Sequence, residues 1–131
     1  MARTIVTPIQ MRFSDLDPFH HVNNVAQQMY FDVGKSDYYE RVAGEELLAD
    51  RLRIVTVSTQ TSYLGQVRSG DRLTVETACE RIGTKSLTLF QRLMADGQVR
   101  SESRSVMVAF DFAAQQSVAV PDRWRQRMLE E

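Results

Sequence analysis

The stretch RFSDLDPFHHVNN, residues 12–24, lies where a strand-like segment gives way to a helix-like one. Before it, residues 4–13 combine a β-branched run with period-two alternation. This pattern predicts a strand that Pro8 confines to an edge or a bend. After it, Asn23 or Asn24 is a suitable N-cap for a helix. Two acids, two histidines and two asparagines therefore accumulate at one strand-to-helix junction.

A long helix is predicted directly after this junction. Its apolar and aromatic positions recur mostly at spacings of three and four residues, the helical period. These positions are Val25, Met29, Tyr30, Val33, Tyr38 and Val42. Gly44 predicts the end of the helix after about 19 residues.

Four strand-like segments follow, at residues 53–63, 72–80, 86–95 and 98–112. Each places alternate apolar side chains on one face, and the short links between them predict antiparallel neighbours. Pro121-Asp122 predicts the start of a short C-terminal helix. We therefore expect an α+β architecture of one domain, residues 1–131, in which a curved antiparallel sheet of about five strands wraps around the long helix. The open edges of such a sheet favour pairing with another copy, so we expect at least a homodimer.

The composition argues against several classes of function. The formal net charge is −1, from 16 basic and 17 acidic residues, which gives no electrostatic basis for nucleic-acid binding. No segment approaches the ~18 apolar residues that span a bilayer, and no signal peptide is recognisable, so we expect a cytoplasmic protein with no membrane partner. The single cysteine, Cys79, lies in a strand-like run, which favours a buried thiol over a nucleophile.

Residues 12–24 admit a metal-binding and a purely structural interpretation. Asp15, Asp17, His20 and His21 are potential ligands of Zn or Fe. However, adjacent histidines point apart and the chain has no third histidine, so we expect no metal site. An Asp-Pro turn followed by a helix cap is the structural alternative. This alternative explains the second acid poorly, because a turn requires only one.

The catalytic interpretation follows from the position of the loop. The first amides of a long helix lack acceptors within the helix and carry the positive end of its dipole, so they can stabilise an oxyanion. Asp17 nearby could attack a carbonyl or draw a proton from water. A carboxylate suits a good leaving group, and a thiolate is one because its conjugate acid has a pKa of about 8.5. Thioester hydrolysis is therefore the favoured reaction.

The segment DLDPFHHVNN, residues 15–24, followed by a helix that carries Phe31-Asp32, resembles the opening motif of the 4-hydroxybenzoyl-CoA thioesterase family. These proteins are hotdog-fold acyl-CoA thioesterases. Further segments match in the same order, and the resemblance extends over residues 4–125. The matching segments are Gly70-Asp71-x-Leu73-x-Val75-Glu76, Gly83-x-x-Ser86-Leu87, Asp96-Gly97, Val108-x-Phe110-Asp111 and Val120-Pro121.

The resemblance implies hydrolysis of an acyl-CoA by a homodimer or homotetramer, with no cofactor because coenzyme A is part of the substrate. Asp17 corresponds to the family's nucleophile or general base. The amides near Asn24 would polarise the thioester carbonyl, and His21 belongs to the same catalytic set. The predicted contacts with the acyl group or coenzyme A are Asp15, Phe19, Gln27, Tyr63, Lys85 and Ser86. Of these, Lys85 and Ser86 correspond to residues that meet the nucleotide end of coenzyme A.

Two positions depart from the family pattern. His20 stands where glycine is frequent, and Gln27 stands where tyrosine is frequent. Gln27 and Gln28 would make the pocket wall more polar. Two alternatives to hydrolysis therefore stay open. One is a non-hydrolytic acyl-CoA-binding subunit. The other is a hotdog dehydratase or hydratase, in which His21 and Asp17 would move a proton next to a thioester carbonyl.

Overall fold

The computed structural model describes residues 3–42, 44 and 52–130. Within these residues the sheet has six strands, all paired antiparallel, in the order β1-β3-β4-β5-β2, with β6 beside β5. The elements are β1 (Ile5–Ile9), α1 (Asn24–Val42), β2 (Leu52–Tyr63), β3 (Leu73–Ile82), β4 (Ser86–Ala95), β5 (Gln98–Asp111), β6 (Gln116–Val118) and α2 (Asp122–Leu129). The predicted hotdog fold, one long helix within a curved antiparallel sheet, is confirmed.

Three details of the strands differ from the predictions. β1 ends at Ile9, and residues 13–15 form a 3₁₀ turn instead of continuing the strand. β5 ends at Asp111, because its Oδ1 accepts the N–H groups of Ala113 and Ala114 at 2.9 and 3.1 Å and turns the chain. The sixth strand, β6, was not predicted, since three residues are too few to establish an alternating pattern.

α1 begins and ends where the sequence predicts. The Oδ1 atom of Asn23 accepts the N–H of Ala26 at 2.7 Å, and its backbone oxygen accepts the N–H of Gln27 at 3.2 Å. Asn23 is therefore the N-cap, and Asn24 is the first residue of the helix. Beyond the last turn, Gly44 adopts the left-handed conformation that commonly terminates helices, with φ 72°.

The face of α1 that contacts the sheet is only partly the predicted one. The buried positions include Ala26, Tyr30, Phe31, Gly34 and Tyr38. Three apolar positions, one per turn, are exposed instead: Val25, Met29 and Val33. A Cβ added at Gly34 would lie 2.5 Å from Val75 Cγ1, so only glycine permits this close approach of helix and sheet. Neither α1 nor α2 is long and apolar enough to cross a membrane.

Two hydrophobic clusters support the two ends of α1. The first lies under its N-terminal half and contains Ala26, Tyr30, Phe31, Val75 and Leu93. The second lies under its C-terminal half, where α2 contributes Trp124 and Met128. Cys79 is buried in this second cluster, and burial raises the pKa of its thiol to about 11. The prediction of a buried thiol is confirmed.

Candidate active site

The loop before α1 is anchored around His20. Its N–H donates to the backbone oxygen of Asp17 at 3.0 Å, and its own backbone oxygen accepts the N–H of Ser69 at 3.0 Å. His20 adopts φ 64°, a left-handed conformation that suits glycine and that histidine enters more readily than branched residues. This conformation gives a physical reason for glycine at the matching position of the family. His20 therefore takes up the conformation for which glycine is suited.

Asp17 presents one anchored and one unpaired carboxylate oxygen. Oδ1 accepts the N–H groups of Phe19 at 2.9 Å and His21 at 3.0 Å. Within the described chain, Oδ2 accepts no hydrogen bond. The two amides fix the orientation of the carboxylate and leave one oxygen available to a ligand, as a base or a nucleophile requires. The side chain of Phe19 is 78% exposed.

Asp15 is in the opposite state, although it precedes Asp17 by only two residues. It is 2% exposed, and both carboxylate oxygens are bound. The hydroxyl of Tyr30 donates to Oδ2 at 2.5 Å, and the guanidinium of Arg12 donates to Oδ1 at 2.9 Å. Burial raises the pKa of this carboxyl, but the hydrogen bonds from Tyr30 and Arg12 outweigh burial, so the pKa is lowered from its ordinary value. Asp15 therefore connects the 3₁₀ turn to α1.

A cavity of about 310 Å³, which we call the Asp17 cavity, brings five predicted site residues together. They are Asp17, His21, Asn24, Gln27 and Tyr63. Because Asn24 is the first residue of α1, its N–H and that of Val25 have no acceptor within the helix. Asp17 and the first residue of a helix, Asn24, consequently border the same cavity. Asp15 and Phe19 do not line it.

Besides Val22 of the loop itself, the lining residues that the sequence analysis missed are Leu64, Gly65, Gln66 and Val67, which form one wall of the cavity. Residues 64–67 follow β2 and are fixed by contacts with distant parts of the chain. The N–H groups of Leu64 and Gly65 donate to the backbone oxygen of Arg100 at 2.8 and 3.0 Å. The N–H of Val22 donates to the backbone oxygen of Val67 at 2.8 Å. No local motif marks such contacts, so the sequence carries no signal for them.

The predicted coenzyme A residues lie far from this cavity within one chain. Lys85 is exposed, and Ser86 lines a separate cavity of about 210 Å³. Ser86 is the first residue of β4. Further along the same strand, Leu93 pairs with Ser101 of β5, and Ser101 pairs on its other side with Tyr63, which lines the Asp17 cavity. Leu93 follows Ser86 by seven residues along the strand, which corresponds to about 23 Å. The role of Lys85 and Ser86 stays a prediction.

A larger cavity, about 580 Å³, lies between β1 and α1, and we call it the β1–α1 groove. Several apolar side chains line it, among them Ile9, Met29 and Val33. Arg12 and Asp32 add charge to its lining. Among the described residues, none lines both this groove and the Asp17 cavity. The two sides of α1 therefore offer separate spaces of different chemical character.

Comparison with known proteins assigns the class that this fold and loop suggest, the hotdog thioesterases. The family model of the Thioesterase-like superfamily matches residues 11–128. The chain belongs to the Thioesterase-like superfamily, whose class of reaction is thioester hydrolysis. The resemblance drawn from residues 15–24 is thereby confirmed.

Among curated proteins, the long-chain acyl-CoA thioesterase FadM of Escherichia coli is 25% identical over 125 residues, 93% of this chain and 95% of FadM. The uncharacterised protein YsmA of Bacillus subtilis is 31% identical over 83 residues, 62% of this chain. This second match spans only 54% of YsmA.

Solved structures are also similar to nearly the whole chain, and two examples follow. A predicted thioesterase from Bacillus stearothermophilus is 29% identical with a TM-score of 0.87, covering 96% of this chain and 94% of that one. A thioesterase from Thermus thermophilus, solved with coenzyme A and Zn, has a TM-score of 0.83. It is 24% identical, with coverage of 94% of this chain and 95% of that chain, so it supports the fold alone.

Proposed function

We propose that this protein hydrolyses an acyl-CoA to a free acid and coenzyme A. The observation that carries the proposal is the state of Asp17. Its Oδ1 is fixed by the amides of Phe19 and His21, and its Oδ2 has no partner among the described residues. The first turn of α1 lines the same cavity. The relationship to FadM, named as a long-chain acyl-CoA thioesterase, supports the same reaction.

In the proposed reaction, the carbonyl oxygen of the thioester accepts the N–H of Asn24, which stabilises the negative charge that develops there. Asp17 Oδ2 takes a proton from water while the water oxygen attacks the carbonyl carbon. Alternatively, Oδ2 attacks the carbon itself and forms an anhydride, which water then hydrolyses. In both routes the C–S bond breaks and the thiolate leaves with the electron pair. We assign His21 to orienting the attacking water, and the reaction uses no further cofactor.

The decisive experiment measures release of free thiol from short, medium, long and aryl acyl-CoAs by the wild type and Asp17→Asn. The asparagine oxygen can still accept the amides of Phe19 and His21, so the loop should keep its shape. We expect turnover to fall by about 10²–10⁴-fold, the usual contribution of a positioned proton-transfer group. Asp122→Asn, the same change at an exposed acid of α2, should retain full activity.

Equal activity of Asp17→Asn and the wild type would refute Asp17 as the catalyst. No turnover of any ester by the wild type would refute hydrolysis itself. Calorimetric binding of acyl-CoA without turnover would then favour the acyl-CoA-binding subunit. Hydration of an enoyl-CoA would instead favour the dehydratase or hydratase, with His21 and Asp17 exchanging the proton.

We further propose that Lys85 and Ser86 meet the nucleotide end of coenzyme A. Lys85 is an exposed cation on the turn between β3 and β4, where a phosphate can approach. Lys85→Ala should raise KM for acyl-CoA esters more than it lowers kcat, because it removes binding that the ground state and the transition state share. An unchanged KM would mean that Lys85 is a surface lysine that does not contribute to coenzyme A binding.

We also propose that the protein is a homo-oligomer, either a dimer or a tetramer. β2 has 12 residues and lies at the end of the strand order, where it pairs only with β5 among the described strands. A long edge strand with exposed apolar residues such as Val57 favours pairing with a second copy. Val57→Lys should therefore shift the mass measured by light scattering towards the monomer. A wild type that is monomeric at all concentrations would contradict this. A cytoplasmic location stays a prediction from the sequence.

A further inference from the structure

We propose that the Asp17 cavity prefers a short acyl group with a hydroxyl or carbonyl oxygen on its β-carbon over an unsubstituted alkyl chain. Gln27 and Tyr63 are the side chains that recognise this oxygen. The inference rests on the proposed thioester hydrolysis and adds the chemistry of the acyl group. It follows from the polar wall of the cavity, from the hydrogen bonds behind that wall, and from the separate position of the apolar groove.

The first observation is the arrangement of Gln27 at the wall of the cavity. Gln27 is 3% exposed, and its Oε1 accepts the hydroxyl of buried Ser101 at 2.9 Å. Its Nε2 makes one long contact, 3.5 Å, with the backbone oxygen of Val22. The amide carries two N–H donors, so one of them has no acceptor within the described chain. A buried donor without a partner is costly, and an oxygen of the bound acyl group would satisfy it.

Gln27 also lies at a suitable depth. It follows Asn24 by three residues, so it lies about 4.5 Å further along the axis of α1. In the proposed reaction, the N–H of Asn24 holds the carbonyl oxygen of the thioester. The amide of Gln27 would then meet a substituent close to that carbonyl rather than the far end of a long chain. This places the recognised oxygen on a carbon near the thioester.

The second observation is the network that fixes Tyr63. Gln28 Nε2 donates to Tyr63 Oη at 3.1 Å and to Thr61 Oγ1 at 2.8 Å. Thr61 Oγ1 in turn lies 3.0 Å from the hydroxyl oxygen of buried Ser103. Because Tyr63 Oη accepts from Gln28, its own O–H remains available as a donor, and Tyr63 lines the cavity. The wall between α1 and β2 therefore offers two donors held by neighbouring side chains.

An unsubstituted alkyl chain fits this wall poorly. It would displace water from the amide of Gln27 and the hydroxyl of Tyr63 without replacing the hydrogen bonds. The volume of the cavity, about 310 Å³, is at the lower end for small-molecule sites, which favours a short group. Apolar side chains suited to an alkyl chain line the β1–α1 groove instead, and Asp17 does not border that groove.

The test compares kcat/KM for 3-hydroxybutyryl-CoA, butyryl-CoA and palmitoyl-CoA, measured by thiol release. For the wild type we expect 3-hydroxybutyryl-CoA to exceed butyryl-CoA by about tenfold, since a site built to donate hydrogen bonds discriminates against a substrate that lacks the acceptor. The variant Gln27→Leu/Ser101→Ala removes both partners of the buried pair together, which limits the loss of stability. In this variant the ratio should fall to about two, because the hydroxyl of Tyr63 can still donate to the β-oxygen.

Two further variants measure the contribution of Tyr63 and control for an unspecific effect of a Gln→Leu change. Tyr63→Phe keeps the shape of the ring and should lower the ratio by a smaller factor, about threefold. Gln126→Leu makes the same kind of change at an exposed position of α2 and should leave the ratio unchanged. If the wild type has an equal or higher kcat/KM for butyryl-CoA or palmitoyl-CoA than for 3-hydroxybutyryl-CoA, the preference is refuted. Thioester hydrolysis itself would still stand.

Equilibrium binding to Asp17→Asn separates this inference from the proposed function. Calorimetry with the same three esters measures the preference without requiring turnover. If no ester is hydrolysed by the wild type but Asp17→Asn still binds 3-hydroxybutyryl-CoA tightest, the proposed function fails and the recognition of the β-oxygen stands. Equal affinity for 3-hydroxybutyryl-CoA and butyryl-CoA would overturn the recognition.

Discussion

Asp15 and Asp17, two aspartates separated by one residue, have opposite environments and opposite roles. Asp15 is buried and gives both oxygens to Arg12 and Tyr30. Asp17 is half-buried and keeps one oxygen unpaired within the described chain. The difference shows how a fold separates support from reactivity: one carboxylate holds the loop on α1, so that the other can be presented to a cavity.

The largest effect that would sharpen this comparison is on stability. Asp15→Ala should lower the free energy of unfolding by about 3 kcal/mol, because the hydroxyl of Tyr30 and the backbone N–H of Arg12 lose a buried acceptor. Asp17→Ala should cost about 1 kcal/mol, since the amides of Phe19 and His21 can turn to water. Urea unfolding of both variants measures the difference. A larger loss of stability for Asp17→Ala than for Asp15→Ala would contradict the assignment of Asp15 as the aspartate that supports the loop.

Acidification should destabilise the protein through protonation of Asp15. The folded pKa of Asp15 lies below the ordinary aspartate value, which is about 3.9. Its contribution to stability is therefore complete above that value and is lost as the pH falls through the folded pKa. The melting temperature of the wild type should fall on acidification below about pH 4 more steeply than that of Asp15→Asn. Parallel profiles for the two proteins would show that Asp15 does not contribute.

Removing only the hydroxyl donor gives a smaller effect at Asp15. Tyr30→Phe leaves Asp15 with the donors of Arg12, so the unfolding free energy should fall by about 1 kcal/mol. The acid sensitivity of this variant should also be weaker, because one of the hydrogen bonds that lowers the pKa of Asp15 is gone. Calorimetric melting between pH 3 and pH 7 tests both statements. An unchanged melting temperature at every pH would contradict them.

The smallest effect concerns the backbone on the Asp17 side. His20→Gly should stabilise the protein by about 0.5 kcal/mol, because glycine adopts φ 64° without the strain that a side chain brings. His20→Val, a branched side chain at the same position, should destabilise it. A loss of stability on His20→Gly would mean that the imidazole makes a compensating interaction. Thermal melting of the three proteins decides this.

The sequence predicted what depends on neighbouring residues. The cap at Asn23, the end of α1 at Gly44 and the loop at residues 12–24 are local patterns, and each was found. The exposed positions of α1 and the wall at residues 64–67 were not found. The exposed positions of α1 depend on how closely the helix approaches the sheet at Gly34. The wall at residues 64–67 depends on backbone hydrogen bonds between segments far apart in the chain. Such distances arise only in the folded molecule.

The buried position of Cys79 has a practical consequence for every experiment that detects coenzyme A by its free thiol. The chain contains one cysteine, and that cysteine is packed against the second hydrophobic cluster. With a pKa raised to about 11, its sulfur remains protonated at the pH of such assays. The native enzyme should therefore contribute no signal to a thiol-reactive dye. A rapid reaction of the dye with the protein would report unfolding, so the same reagent measures both product and intact enzyme.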